Sequence, residues 1–249
     1  MSNRKLVLVT GATGTIGSAT AITLAQTGDF NLALHYRSAS PGKRQQLQEK
    51  IRKSSPLPLK VEFFQADLGD STSVRHLHSN ITNTMGQVDA FFGNAGSNEG
   101  ATNVQSLADV SIETFGKTWK TNVESNILLC QLCLPHMQEQ GYDRIVLNSS
   151  LAAFTGGIVG PHYASSKSAL HGFIYWLGGS VAKSGVTVNG IAPGLVAGTE
   201  LLDVASVASS VPVGRPGKPE EVAETVVWMM RTEYLTRKII TLDGGIFCR

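Results

Sequence analysis

Regular alternation constrains this chain more than any other feature of its sequence. Short apolar or β-branched runs recur at Leu6–Thr10, Leu32–His35, Val61–Gln65, Val88–Gly93, Arg144–Asn148, Thr187–Ile191 and Lys238–Thr241, and each reads as a strand. Between them lie longer segments with helical spacing: Ile16–Thr27, Lys43–Lys53, Ser71–Met85, Glu113–Gln140, Ala164–Lys183 and Pro219–Arg231. Strands that are apolar on both faces need cover on both sides. Parallel strands need a crossover, and the crossover helix must bury its apolar stripe on the sheet. The expected architecture is therefore α/β, a doubly wound parallel sheet of about seven strands with helices on both faces. No repeat or low-complexity linker interrupts the pattern, so residues 1–249 are expected to form one domain, with Ser54–Pro58 a local turn.

Composition removes several function classes. Hydrophobic residues make up 42% and charged residues only 16%, which excludes disorder and leaves a surface poor in charge, suited to self-association. A net charge of +2 is too small to make nucleic acid or an anionic membrane the principal partner. Cys130, Cys133 and Cys248 are too few for a disulfide framework, and the Cys130/Cys133 pair lies in an apolar helical stretch, where core packing is the simpler reading. No apolar run reaches the length of a membrane span, so the chain is expected to be soluble and cytoplasmic. The five positive and one negative charges of residues 43–53 read as a solvated helix face.

The first strand ends in Thr10-Gly11-Ala12-Thr13-Gly14-Thr15-Ile16-Gly17 and runs directly into a helix. Glycines there let the backbone approach a pyrophosphate, with free amides and the positive helix end facing the anion. At the end of the second strand, where an acid would select NAD(H), the chain has His35-Tyr36-Arg37-Ser38. The guanidinium of Arg37 and the hydroxyl of Ser38 suit a 2′-phosphate, so the expected cofactor is NADP(H). Tyr163 and Lys167, four residues apart near a helix start, share one face, and an ammonium there would lower the pKa of the phenol. Ser150 ends the fifth strand, where a parallel sheet opens its ligand crevice.

With these motifs in place the sequence resembles the short-chain dehydrogenase/reductase family, in its single-domain branch of about 250 residues. The resemblance also rests on Asp67-Leu68, Asn94-Ala95-Gly96, Asn122-Val123, Leu134-Pro135-His136-Met137, Asn189-Gly190-Ile191-Ala192-Pro193-Gly194 and Leu242-Asp243-Gly244-Gly245. The stretch from Gly214 to Val222 is most similar to 3-oxoacyl-carrier-protein reductases. The resemblance implies a Rossmann-type fold in which Tyr163 is the general acid for a carbonyl oxygen and Lys167 lowers its pKa and holds the nicotinamide ribose. It implies that Ser150 orients the carbonyl and that Asn122 positions a water leading from Lys167 to solvent. Asp67 and Leu68 would contact adenine, Asn94, Ala95 and Gly96 would wall the ribose, and Pro193, Gly194 and Val196 would border the nicotinamide. The implied activity is NADPH-dependent reduction of a small-molecule ketone, 3-oxoacyl or of secondary-metabolite type, by a homo-oligomer, dimer or tetramer.

Four departures from the family pattern stand out. Thr15 takes the place of the middle glycine, giving the glycine spacing of the extended relatives, and Gly93 replaces the first of two asparagines. Gly198 stands where a threonine is usual, with Thr199 following it, and Arg237 replaces a turn glycine. The stretch at about 195–215, with small residues at Ala205, Ser206, Ala208, Ser209 and Ser210, reads as a substrate lid or a weak helix. Phe154, His162, Leu195, Leu201 and Leu202 are expected over an apolar pocket, although a lone His beside a site is more often packing. Phe173, Trp176 and Leu177 read as core, on a helix that the resemblance places at a subunit contact. A non-catalytic NADP(H)-binding sensor or scaffold is the alternative, opposed by the complete Asn122/Ser150/Tyr163/Lys167 set. The glycine spacing alone would suit an epimerase or dehydratase, but the chain lacks the extra C-terminal substrate region of those relatives.

Overall fold

The computed structural model describes residues 4–199 and 211–248. Its strands are β1 Lys5–Val9, β2 Phe30–Tyr36, β3 Val61–Gln65, β4 Ala90–Gly93, β5 Asp143–Asn148, β6 Val186–Pro193 and β7 Ile239–Leu242. They form one sheet in the order β3-β2-β1-β4-β5-β6-β7, with every pairing parallel. The chain winds outward from β1 to β3, then returns to lay β4 on the other side of β1. That reversal leaves a crevice beyond the carboxyl ends of β1 and β4, where ligands bind in open α/β sheets.

The helices are α1 Thr15–Thr27, α2 Pro41–Ser54, α3 Ser71–Met85, α4 Ile112–Trp119, α5 Ser125–Gln140, α6 Ala152–Thr155, α7 Pro161–Val181 and α8 Pro219–Arg231. Successive strand residues point to opposite faces, so each strand feeds two cores. On one face Leu6, Leu8, Phe91, Ile145 and Leu147 pack with apolar residues of α3, α5 and α7. On the other, Val7, Val9, Leu32, Leu34, Phe92 and Val146 pack with α1, α2 and α8. Cys130 and Cys133 are buried in the first of these cores, and burial pushes both thiols well above their usual range, Cys133 up to about 12. Both behave as small apolar residues. Side-chain caps set several helix starts: Ser40 accepts from the Lys43 amide, and the Asp70 carboxylate accepts from Thr72 and Ser73. Among the described residues no helix is long and apolar enough to cross a membrane.

Three expectations need correction. The helix expected over Glu113–Gln140 is interrupted by a π turn at Lys120–Glu124 between α4 and α5. A wider turn of this kind offsets the helical register by a single residue, too small a change to separate from the scatter of apolar positions along the stretch. The helix expected over Ala164–Lys183 begins three residues earlier, at Pro161, whose fixed φ suits a first turn. Of the three residues read as core, Leu177 is buried and Phe173 packs partly against the core, but Trp176 is 70% exposed. Arg237, at the position of a usual glycine, adopts φ 59°, the left-handed conformation such a turn demands. Leu201, Leu202 and the small residues from Ala205 to Ser210 lie outside the described residues.

Candidate active site

The phosphate turn is built by close backbone contact. Gly11 has φ 63°, and a Cβ on Gly17 would lie 2.2 Å from the Gly11 carbonyl and 2.9 Å from Ala12 Cα, so neither position admits a larger residue without rearrangement. The Gly14 amide bonds the Gly11 carbonyl (3.0 Å) to close the turn. No side chain caps the N-terminus of α1, and its first turn carries no acid. The leading amides and the positive helix end are therefore left to an anion at the mouth of the crevice.

Beside this turn, at the end of β2, Arg37 and Ser38 are exposed, and Arg44 stacks its guanidinium over the Tyr36 ring at 4.7 Å. Gln65 Nε2 donates to the Arg37 carbonyl (3.0 Å), fixing the backbone from which the Arg37 side chain springs. No carboxylate follows β2 in Arg37-Ser38-Ala39-Ser40. The uncapped helix, the tight glycine turn and these donors fit a dinucleotide. Asp67 is exposed after β3, its Oδ1 accepting from the Gly69 amide (2.8 Å), whereas Leu68 sends its side chain into the core.

The catalytic candidates converge around α7. Tyr163 and Lys167 are both buried, one helical turn apart, with the Lys167 ammonium 5.7 Å from the centre of the Tyr163 ring. Lys167 Nζ donates to the Asn148 carbonyl (2.6 Å) at the end of β5. Ser150 follows two residues later, with its hydroxyl on the Tyr163 phenol and on the Ala152 amide (3.1 Å). Ser150, Tyr163 and Lys167 are thus brought together. The expected lowering of the phenol pKa is not what the arrangement produces: burial pushes Tyr163 up to about 12, with only the Ser150 bond pulling it down. Burial also brings Lys167 down to about 8, and its ammonium is turned toward the Asn148 carbonyl.

Asn122 sits inside the π turn and is fully buried. Its Oδ1 accepts from the Ser97 amide (2.7 Å), and its Nδ2 donates to the Ser97 carbonyl and to Ser166 Oγ, both at 2.9 Å. Its own carbonyl accepts from Asn126 Nδ2 (2.9 Å). Asn122 is therefore a brace between the loop after β4 and α7. Gly96 completes the wall: a Cβ there would stand 3.1 Å from Lys167 Nζ and 3.5 Å from Asn122 Oδ1. Ala95 donates its amide to Thr10 Oγ1 (3.1 Å).

The strap after β6 closes the far side. Gly194 packs so tightly on the end of β7 that a Cβ would lie 2.9 Å from Asp243 Cα. Val196 is buried and bridges to Gly217. Thr15 Oγ1 reaches across from α1 to donate to the Gly198 carbonyl (2.6 Å). Of the residues expected over the pocket, His162 is buried with Nε2 on the Asn98 carbonyl (3.0 Å), and Phe154 stacks on Phe247 at 5.1 Å and lies 4.6 Å from the His171 ring.

Three residues make structural contacts that the sequence did not reveal. His35 is buried at the end of β2; its Nδ1 accepts from the Gly11 amide and its Nε2 contacts the Ala66 carbonyl, each at 3.1 Å. With Nδ1 accepting, Nε2 must carry the proton. Asn94 donates Nδ2 to the Thr10 carbonyl (2.9 Å) and accepts from Asn148 Nδ2 (3.0 Å), linking the ends of β1, β4 and β5. Ser149 donates to the Lys167 carbonyl (3.2 Å) and bonds His171 Nε2 (2.8 Å), tying the loop of Ser150 to α7. The available signal was a polar side chain at the end of a wholly buried strand, which must find internal partners.

Known proteins carry the same framework. A family model described as short chain dehydrogenase matches residues 5–208. An uncharacterized oxidoreductase of Bacillus subtilis is 31% identical over 252 residues, covering 98% of this chain and 99% of that protein. A 3-oxoacyl-[acyl-carrier-protein] reductase of Thermotoga maritima is 28% identical, with 97% of each chain covered. Among solved structures, an NADH-dependent reductase responsible for alginate metabolism aligns with a TM-score of 0.87 at 27% identity, covering 99% of this chain and 98% of that one.

Proposed function

Because this chain belongs to the short-chain dehydrogenase family of oxidoreductases, we propose that it is an NADPH-dependent carbonyl reductase that converts a ketone to a secondary alcohol. The observation that carries the reading is the buried Tyr163/Lys167 pair, with Ser150 on the phenol, at the carboxyl edge of the sheet beside the uncapped start of α1. When bound, a dihydronicotinamide supplies a hydride to the carbonyl carbon. The chain supplies the proton: Tyr163 Oη, a phenol protonated at neutral pH and kept so by burial, gives it to the carbonyl oxygen as charge develops there. The Ser150 hydroxyl aims a second donor at the same oxygen. Lys167 lies within reach of the phenol and balances the phenolate left behind, which regains its proton from solvent.

Cofactor choice rests on the end of β2, where Arg37 and Ser38 offer donors and no acid repels a 2′-phosphate. The 27%-identical NADH-dependent reductase shows that similar chains take the unphosphorylated form, so this choice is argued from Arg37 and Ser38 alone. The exposed Trp176 and Tyr175 on α7 support self-association through that face. A sensor has no use for a proton donor held beside a lysine, and nothing favours that alternative. The test is NADPH oxidation against a panel of ketones and 3-oxoacyl thioesters. Tyr163→Phe should lower turnover at least ~100-fold while leaving NADPH affinity intact. Equal rates in the two proteins would refute the mechanism.

A further inference from the structure

Thr15 stands where the family places a glycine, and Gly198 stands where it places a threonine; in the folded chain these two positions meet. Thr15 Oγ1 donates to the Gly198 carbonyl at 2.6 Å, across 183 positions of sequence. Gly198 has φ 73°, and a Cβ on it would lie 3.6 Å from Thr15 Cγ2. A β-branched residue would be strained at that φ, so the hydroxyl stands on the turn side of the gap and the glycine on the strap side.

The remaining hydrogen bonds of the strap lead away from the phosphate turn. The Gly194 amide donates to the Leu242 carbonyl (3.0 Å), Gly217 donates to Leu195 (2.8 Å), and Ala197 donates to Gly217 (2.9 Å). Thr199 Oγ1 turns back onto the Val196 carbonyl (2.9 Å). Among the described residues, the bond from Thr15 is the one hydrogen bond joining the strap to the turn that opens α1.

We infer that Thr15 is a positioning residue: its hydroxyl clasps the strap after β6 to the phosphate turn and so fixes the spacing between the two walls of the cofactor crevice. The inference rests on the proposed nicotinamide site for its consequence in binding, but the clasp itself is a property of the protein alone. Holding the walls at their working separation before the ligand arrives lowers the ordering cost of binding.

The experiment compares Thr15→Val, which keeps the shape and removes the donor, with Thr15→Ser, which keeps the donor. Amide hydrogen exchange of residues 195–199 is followed in protein without nucleotide, and NADPH affinity is measured by fluorescence titration. A single hydrogen bond of ordinary strength corresponds to a change of roughly three- to tenfold. Thr15→Val should therefore exchange faster in this segment by about that factor and bind NADPH more weakly by a similar one. Thr15→Ser should restore both values. Wild-type exchange in Thr15→Val, or a serine variant as loose as the valine variant, would overturn the clasp. Failure of the wild-type protein to bind NADPH would instead overturn the cofactor reading, while the exchange result alone still decides the clasp.

Discussion

Replacing His35 with phenylalanine tests how the phosphate turn is held in place. The imidazole is 2% exposed and serves two backbone groups, accepting from the Gly11 amide and donating to the Ala66 carbonyl, both at 3.1 Å. Phenylalanine fills most of the same space but leaves both groups buried without a partner, at about 1–3 kcal/mol each. The expected loss is roughly 2–6 kcal/mol at pH 7.5, a fall in Tm of about 5–20 °C for a domain of this size. The acid limb gives an independent check. Burial lowers the His35 pKa from 6.5 to about 4, so stability present above pH 6.5 is lost as pH falls toward 4, because the unfolded chain takes up a proton that the folded chain refuses. Over those two and a half pH units the effect amounts to about 3 kcal/mol. Urea unfolding at a series of pH values should show the His35→Phe variant less stable than wild type at pH 7.5, with the gap narrowing steadily toward pH 4. NADPH binding should weaken at every pH, since the Gly11 amide is no longer held. A variant as stable as wild type at pH 7.5, or with an unchanged acid slope, would refute the assignment of His35 as a neutral two-point clamp.

Two further outcomes follow from single substitutions. Arg37→Ala should raise the KM for NADPH about 10- to 100-fold, the worth of a charge-assisted contact to phosphate, while the KM for NADH moves little; an unchanged NADPH/NADH ratio in steady-state kinetics would remove Arg37 from cofactor selection. Asp143 is buried with neither carboxylate oxygen hydrogen-bonded, and burial followed by the nearby Asp89 pushes its pKa from 3.8 up to about 8 against the pull of Lys5 and Arg144. An acid raised in this way holds its full stability below pH 3.8 and loses it as pH rises toward 8. Asp143→Asn should therefore be the more stable protein at pH 8 by more than about 1 kcal/mol, with the advantage shrinking toward pH 4 in denaturant titrations; a constant difference would mean that Asp143 does not titrate in that range.

Much of the fold was legible because its determinants are local. The seven apolar runs are the seven strands, since burial on both faces leaves no other pattern available to them. The glycine turn and the Tyr163/Lys167 pair were readable for the same reason: each is set by spacing within a few residues. What escaped depended on the meeting of distant segments. The π turn at Lys120–Glu124 leaves no periodic trace, yet it is what turns Asn122 inward to Ser97 and Ser166. The pKa of the phenol followed burial rather than the neighbouring amine, because Lys167 is drawn to the Asn148 carbonyl. His35 looked like one member of a cofactor-selecting quartet; its side chain instead points into the sheet edge, which depends on a β2–β3 register that sequence does not display.

The link from Thr10 through Asn94 to Asn148 ties together three neighbouring strand tips drawn from widely separated stretches of chain. A molecule in which β5 has yet to settle against β4 lacks the Asn148 carbonyl that holds Lys167 and the tether that steadies Asn94 under the glycine turn. Docking of β5 on β4 therefore completes the contacts of Asn94 and of Lys167 together.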